Sequence, residues 1–208
     1  MDAIYQKVFI YLVIVISAII HEYAHGLVAY EEGDPTAKDA GRLTLNPLVH
    51  LDIVGTIIVP LFSLFSAGAF IGWAKPVPYN PLRLKGKNSE MKVAFAGPAA
   101  NLMIALFMIL GFAGLRALSL TANLPVSFAN FIASIAYVNI GLALFNLIPV
   151  PPFDGSKIFM KIFPKAAKWV NSLGFMGIIV GLFIGITVMP YLADVVFYLM
   201  TGFGRVFM

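Results

Sequence analysis

Five consecutive residues near the amino terminus have the types and the spacing of a zinc site, His21-Glu22-Tyr23-Ala24-His25. On a helix the two histidines fall at positions i and i+4, on one face, where both imidazoles can bind one zinc ion. Glu22 stands beside them and can activate a water molecule. The spacing predicts a metallohydrolase centre, with His21 and His25 as ligands and Glu22 as general base.

This motif lies inside a segment that is apolar enough to cross a membrane. Between Ile4 and Ile20 the only side chain charged at neutral pH is Lys7. Charged groups at that depth cost on the order of 2.5–3.5 kcal/mol each, so an idle cluster of histidine and glutamate is not expected there. We therefore interpret the motif as a metal site within the bilayer and not as a chance match.

Composition supports a membrane setting along the whole chain. Of the 208 residues 60% are hydrophobic and 12% are charged, whereas soluble domains have about 25% charged residues. We expect one membrane-embedded domain over residues 1–208, whose first apolar segment is a retained span and not a cleaved signal. The chain has no cysteine, so disulfides and thiolate ligands are excluded and nitrogen and oxygen atoms must hold any metal.

The hydrophobic pattern predicts an all-α integral membrane protein, a polytopic helical bundle of about five spans, or six if the tail at 190–208 also crosses. The segment at 51–67 is short for a span and contains Gly55 and Pro60, which favours a re-entrant helix followed by a short membrane-associated β segment near 68–77. The remaining helices are predicted at 4–30, 90–119, 127–148 and 170–189, with a basic amphipathic stretch at 157–168.

Lysine and arginine concentrate in two loops, at 75–92 and 157–168. Cytoplasmic loops are enriched in these residues, so we expect both loops in the cytoplasm and the active site nearer the cytoplasmic side. Membrane orientation and lipid headgroup contacts explain the net charge of +4, and nothing in the pattern indicates binding of nucleic acid.

A catalytic zinc usually has three protein ligands and an open position for water, so a third ligand must come from elsewhere in the fold. Asp154 differs from the other candidates because it follows a proline-rich break at the end of a long apolar helix. The prolines end the helix and Gly155 permits a tight turn, which can direct the carboxylate into a bundle. The candidates are Glu31, Glu32, Asp34, Asp39, His50, Asp52, Glu90, Asp154 and Asp194.

From about residue 20 to 158, the chain resembles the site-2 protease family of intramembrane zinc metalloproteases, in its compact form without PDZ or CBS domains. The family combines HExxH with a later Asn-x-x-Pro-x-x-x-x-Asp-Gly segment, here His21 to His25 and Asn146 to Gly155. Between them, Gly97-Pro98-Ala99-Ala100-Asn101 matches a Gly-Pro-x-x-Asn element, and Gly72 to Val77 resembles the family's glycine-rich membrane-associated strand.

The resemblance implies one Zn²⁺ per chain, held by His21, His25 and Asp154, with Glu22 as general base. It also implies that Asn146 holds the substrate backbone or a developing oxyanion. A hydrogen bond between helices would explain Asn146 equally well, as for many membrane asparagines.

Four further polar or helix-breaking residues have less specific interpretations. We expect Asn101 and Asn139 to be structural, and Pro98 to lie near the start of its helix and to need no functional role. His50 could orient a ligand, line a water path or touch substrate. We expect a loop histidine beside Asp52 to be solvated.

As a function, the resemblance implies hydrolysis of peptide bonds within or near transmembrane segments of membrane proteins, in the prokaryotic cell membrane. The partners would be transmembrane protein substrates and membrane lipids, and the oligomeric state is not predicted. An unwound substrate segment could pair with the strand near 70–77. The alternative is a non-catalytic zinc-binding membrane scaffold or a metal carrier.

Overall fold

The computed structural model describes residues 3–67, 72, 74–120 and 124–202, and within them it contains helices, turns and loops but no β-strand. By its internal contacts the chain divides into two compact units, Met1–Gly97 and Pro98–Met208. Helix α4, Ser89–Ala117, runs through the division.

The first unit is one long helix followed by short helical pieces and loops. Its helices are α1 at Ala3–Glu31, α2 at Thr36–Asp39 and α3 at Val59–Ala67, together with the first third of α4. Two single 3-10 turns, at Pro47–Val49 and Pro81–Arg83, and a π-helical turn, at Ile53–Ile58, complete it.

Gly33, two residues after the last residue of α1, terminates the helix. Gly33 has φ +104°, a conformation that side-chain-bearing residues rarely adopt. The N–H groups of Gly33 and Asp34 donate to the carbonyls of Tyr30 at 3.1 Å and Ala29 at 2.9 Å. This is the Schellman pattern, which satisfies the last carbonyls of a helix.

Asp34 then ties the loop after α1 to a distant segment of the same unit. It is fully buried and accepts hydrogen bonds from the N–H and hydroxyl of Thr36 and from the N–H of Asn80. Burial raises the pKa of the Asp34 carboxyl, but these hydrogen bonds and the charge of Arg83 outweigh burial and hold the pKa below its usual value. The carboxylate therefore fixes the start of the turn that Asn80 caps.

The second unit is built from longer helices packed on one another. After α4 it contains α5 at Val126–Asn146, α6 at Asp154–Ile162, α7 at Pro164–Ser172, α8 at Gly174–Thr187 and α9 at Met189–Thr201. One apolar cluster joins α4, α5 and α9 and includes Ala105, Ile140 and Phe197. A second cluster, around Ile148, Val150 and Phe153, fills the break between α5 and α6.

Three glycines on α8 let the segment between α5 and α6 pack closely against this helix. Gly177, Gly181 and Gly185 recur every four residues, are all buried, and so lie on one face of the helix. A methyl group added at any of them would collide with a side chain from the end of α5 or from the break. Gly177 faces Val150, Gly181 faces Phe153 and Gly185 faces Phe145.

In the part of the chain that the structure describes, three helices are long and apolar enough to cross a membrane, Ile4–Glu31, Ser89–Ala117 and Val126–Asn146. A sharply bent pair, Pro164–Val170 with Gly174–Thr187, makes a fourth candidate. At 1.5 Å per residue, apolar helices such as Ile53–Ser63 are shorter than the roughly 30 Å of a bilayer core. The protein is a helical membrane protein, and its described residues contain fewer clear spans than the sequence pattern predicts.

Two details of the sequence prediction need revision. Half of the β segment near 68–77 falls on residues outside the described part of the chain, and Gly72 and residues 74–77 are not in a strand. The position predicted for Pro98 is wrong, because α4 begins at Ser89 and Pro98 lies inside it. Proline is tolerated within membrane helices when neighbouring groups satisfy the freed carbonyl.

Candidate metal centre

Helix α1 places the two histidines of the motif side by side. The Nε2 atoms of His21 and His25 are 3.0 Å apart, and their ring centroids are 4.6 Å apart with nearly perpendicular planes. Only 6% of His21 and 9% of His25 is exposed. The helix therefore presents two imidazole nitrogens to one point in a buried position.

The carbonyl of Val93 orients the second of these rings. His25 Nδ1 lies 2.6 Å from the Val93 oxygen, and because a carbonyl can only accept, Nδ1 must carry the proton. In the neutral ring the lone pair is then on Nε2, the atom that lies 3.0 Å from Nε2 of His21. A metal-binding histidine is usually held in this way by its other ring nitrogen.

A glycine keeps the space in front of both histidines open. A Cβ atom at residue 97 would lie 2.5 Å from Nε2 of His21 and 2.5 Å from Nε2 of His25. Real Cβ atoms essentially never approach so closely, so any other residue in place of Gly97 would press against both imidazole rings at their Nε2 atoms.

The donor atoms and this open position fit zinc. With Zn–N distances of about 2.0–2.1 Å and tetrahedral angles, two ligand nitrogens lie about 3.3 Å apart, close to the 3.0 Å between the two Nε2 atoms. In a chain without cysteine, imidazole is the donor that suits zinc best. The pair supplies two of the three protein ligands that a catalytic site needs.

Glu22 is held beside the histidines by a backbone N–H group. Its Oε2 atom accepts a hydrogen bond of 2.7 Å from the N–H of Val77, which is only 7% exposed. Gly26, one turn further along α1, lets this segment approach, because a Cβ there would lie 2.9 Å from Val77 Cγ1. Helix α1 thus carries both the metal-binding pair and an oriented carboxylate.

Asp154 and its neighbours belong to the second unit. Asp154 is the first residue of α6, its side chain is 13% exposed, and Lys157 Nζ lies 3.8 Å from its Oδ1. At Gly155 a side chain would collide with the carbonyls of Leu147 and Ile148. The structure therefore shows a close backbone approach at Gly155, which is the second residue of α6, and the turn itself lies just before the helix, at 151–152.

The three asparagines singled out in the sequence lie in the second unit and make local or interhelical bonds. Asn101 Nδ2 donates to Asn139 Oδ1 at 2.9 Å, and both side chains are fully buried between α4 and α5. This agrees with the structural role predicted for them. Asn146, the last residue of α5, donates from Nδ2 to the Leu142 carbonyl at 3.0 Å.

The prediction that His50 is solvated is wrong. His50 is fully buried, and its Nε2 lies 2.7 Å from the Thr44 carbonyl. Asp52, which suggested a solvated loop, instead accepts from the Gly55 N–H at 2.6 Å and caps the π-helical turn. Nε2 of His50 and the Asp52 carboxylate thus have partners inside the unit, whereas Nδ1 of His50 is buried without a hydrogen-bond partner among the described residues.

Several other candidate carboxylates have structural partners. Glu32 accepts from the Ser89 hydroxyl and pairs with Lys92 at 2.5 Å; these hydrogen bonds lower the pKa of the Glu32 carboxyl. Asp194 accepts from the Tyr137 hydroxyl at 2.9 Å. These residues, like Asp34, stabilise loops and helix contacts.

Sequence reasoning missed three residues that shape the centre. These are Val93 through its carbonyl, Val77 through its N–H, and Gly97 through its missing side chain. Backbone groups leave no signature in a residue pattern. Only Gly97 carried a signal, since the Gly-Pro-x-x-Asn element singles it out.

Comparison with known proteins gives matches to one family. The family model described as peptidase family M50 matches residues 115–189. Over 163 residues the chain is 38% identical to "Putative zinc metalloprotease YwhC" of Bacillus subtilis, a match that covers 76% of this chain and 71% of that protein. It is 30% identical over 153 residues to "Putative zinc metalloprotease Rip2" of Mycolicibacterium smegmatis, covering 73% of this chain and 56% of Rip2. No solved structure matches the chain significantly.

Fold, site and relatives together define a zinc metalloprotease built into a membrane. The chain belongs to peptidase family M50, the site-2 protease family.

Proposed function

We propose that this chain is an intramembrane endopeptidase that hydrolyses peptide bonds within or near transmembrane segments of other membrane proteins. The observation that carries the proposal is the position of the histidine pair on α1. His21 lies 18 residues from the start of this helix and 10 from its end, about 27 Å and about 15 Å along its axis. A metal centre at that depth can act on a peptide that is itself in the membrane.

The proposed zinc ligands are His21, His25 and Asp154, with one Zn²⁺ per chain. Three protein ligands leave the fourth position open for a water molecule. The family motif supports Asp154, and so does its place at the first residue of α6, where the next residue, Gly155, packs closely against the Leu147 and Ile148 carbonyls.

When bound, zinc would lower the pKa of a water molecule toward about 7 and polarise the scissile carbonyl. Glu22 accepts the proton that the water loses as its oxygen bonds to the carbonyl carbon. Glu22 then returns this proton to the nitrogen of the leaving amine as the C–N bond breaks. Oε2 accepts from Val77, so Oε1 is the oxygen that takes and returns the proton.

The substrate must expose one carbonyl to this centre. A transmembrane helix hides its carbonyls in hydrogen bonds, so we expect substrates with glycine, proline or other weak helix formers at the cleavage site. We propose that Asn146 contacts the exposed backbone or the developing oxyanion. One Nδ2 hydrogen donates to the Leu142 carbonyl, so the second can donate to a substrate carbonyl or oxyanion, and Oδ1 can accept from a substrate N–H.

For topology, we propose that the loops at 75–92 and 157–168 face the cytoplasm. The chain has no cysteine, so single cysteines at the exposed positions Lys87, Lys161 and Ala117 can be labelled without background. In intact cells a membrane-impermeant maleimide should label Ala117→Cys and leave the other two unlabelled. The reverse labelling would invert the topology.

The function is tested with Glu22→Gln, which keeps the shape and one acceptor oxygen of the side chain but cannot accept the proton. We expect cleavage of a transmembrane substrate in detergent or liposomes to fall by about 10²–10⁴-fold, with zinc content unchanged. Glu31→Gln is the matched control, because it makes the same substitution at the exposed last residue of α1.

Other outcomes would select the alternatives. Zinc flux into liposomes that is unaffected by Glu22→Gln would indicate a metal carrier. Stable binding of transmembrane helices without cleavage, in the parent and the variant alike, would indicate a scaffold. Cleavage by Glu22→Gln at the parent rate would remove Glu22 from the mechanism.

A further inference from the structure

An extended segment, residues 74–80, lies beside α1 without being part of a sheet. Its backbone is fixed by groups from elsewhere in the first unit. The N–H of Lys75 donates to the His50 carbonyl at 2.9 Å, the N–H of Val77 donates to Glu22, and the N–H of Asn80 donates to Asp34. Three contacts thus connect this segment to the loop and helix around the metal centre.

The sequence of the segment limits what else its backbone can bind. In an extended chain the N–H groups of residues 75 and 77 point to one edge, and those of 76 and 78 would point to the other. Residues 76 and 78 are prolines and have no N–H. The donors of Lys75 and Val77 are already bonded inside the unit, so this stretch is poorly suited to pairing with a substrate strand.

The N–H of Val77 donates its hydrogen bond to the carboxylate of Glu22. A carboxylate side chain can rotate about its bonds, and one fixed oxygen removes most of that freedom. With Oε2 bound to Val77, Oε1 is the oxygen left to the water. A general base must lie within hydrogen-bond reach of the proton it takes, and small displacements of such a group lower the rate strongly.

We propose that the Val77 N–H is a positioning group for the general base, and that Gly26 is a second positioning residue because it lets Val77 reach Glu22. This inference rests on the proposed function. It assigns to segment 74–80 the support of the catalytic carboxylate and not the docking of substrate by strand pairing.

The test uses the purified full-length chain in detergent, with zinc content, kcat and KM measured on one transmembrane substrate. Val77→Pro removes the N–H, whereas Val77→Ala keeps it and shortens the side chain. We expect kcat to fall by about 10- to 100-fold in Val77→Pro, with KM and zinc content near those of the parent. Val77→Ala should stay within about threefold of the parent kcat, since the hydrogen bond is retained.

Lys75→Pro is the matched control, because it removes the neighbouring donor on the same edge, which bonds to His50 and not to Glu22. A merely structural role for the segment would lower kcat in Lys75→Pro and Val77→Pro alike. That result would overturn the proposal, as would a parent-like kcat in Val77→Pro or a change confined to KM.

A second pair of variants keeps the proposal testable if Val77→Pro does not fold. Gly26→Ala places a methyl group against Val77 Cγ1 and should lower kcat by moving the N–H away from Glu22. Val77→Ala removes that Cγ1 atom, which is the closest contact, and leaves Ala37 Cβ at 3.2 Å, so the double variant should recover part of the lost kcat. Failure of the double variant to recover would overturn the proposal. Absence of cleavage by the parent chain would instead overturn the proposed function.

Discussion

The two units of this protein hold their backbones in place by different means. In the first unit, loops and an extended segment are fixed by buried polar groups, such as Asp34, His50 and the carboxylate of Glu22. In the second unit, helix breaks are fixed by close apolar packing, as where Phe153 meets Gly181 of α8. Non-helical backbone near a membrane needs partners for its N–H and C=O groups, and the first unit supplies them with side chains.

Because of this difference, we expect substitutions in the two units to have different effects. Substitutions that fill space at the polar centre should remove zinc while the helices stay folded. Substitutions that fill space on α8 should destabilise the helices.

Gly97→Ala should have the largest effect, because its methyl group would occupy the position 2.5 Å from both histidine Nε2 atoms. We expect zinc content to fall from about one per chain to near zero, and cleavage with it. Zinc can be measured by mass spectrometry of the purified protein.

Gly111→Ala is the control, since it lies on the same helix and its Cβ would meet nothing within 4 Å. It should retain zinc and share any gain in helix propensity. Full zinc content in Gly97→Ala would contradict the conclusion that zinc binds in the space between Gly97 and the two histidines.

Gly181→Ala should destabilise the second unit by about 1–3 kcal/mol, because its Cβ would collide with the ring of Phe153. Thermal unfolding in detergent should show a lower Tm. At Gly141 on α5 the same change meets nothing within 4 Å, so Gly141→Ala should leave Tm unchanged or raise it. Equal changes in Tm would mean that the glycines of α8 are not closely packed.

Asp34 provides a pH test of the polar tethers. The pKa of its carboxyl is below the ordinary value of 3.8 in the folded protein, so its stabilising contribution is present above about pH 4 and is lost as pH falls through the folded pKa. Asp34→Asn should lower stability by about 1–2 kcal/mol at neutral pH and by less near pH 3.

Measuring Tm at several pH values for Asp34→Asn and the parent checks this expectation. Glu32, whose pKa is also lowered, keeps part of the acid sensitivity in both proteins. A difference in Tm that grows toward low pH would contradict the sign.

The smallest effect is expected at the buried pair Asn101 and Asn139. A double-mutant cycle with leucine at each position should give a coupling energy of about 0.6 kcal/mol, typical of hydrogen bonds between membrane helices. Zinc content should not change in any of these variants. Loss of zinc in Asn101→Leu would give this residue a role at the centre.

Local patterns predicted the parts of the site that lie on one helix. The spacing of His21 and His25 suffices to place both rings on one face of α1, and the apolar periodicity located α4 and α5 to within two residues. The hydrogen bonds between these side chains and backbone groups distant in sequence could not be predicted. The Val77 N–H that holds Glu22 is 55 residues away in sequence, and no local signal marks such a contact.

The wrong predictions have the same origin. His50 was expected in solvent because Asp52 stands beside it, but the folded loop gives both residues partners. Pro98 was expected at a helix start because proline is common there, but α4 begins nine residues earlier.

The central claim is that His21, His25 and Asp154 hold one zinc ion while Glu22 does chemistry without holding it. The most direct test is the zinc content of the purified protein beside His21→Ala, Asp154→Ala and Glu22→Gln. We predict about one zinc per chain in the parent and in Glu22→Gln, and loss of zinc in the other two variants. Full zinc in Asp154→Ala would contradict the ligand set, and a parent protein without zinc would contradict the metal centre itself.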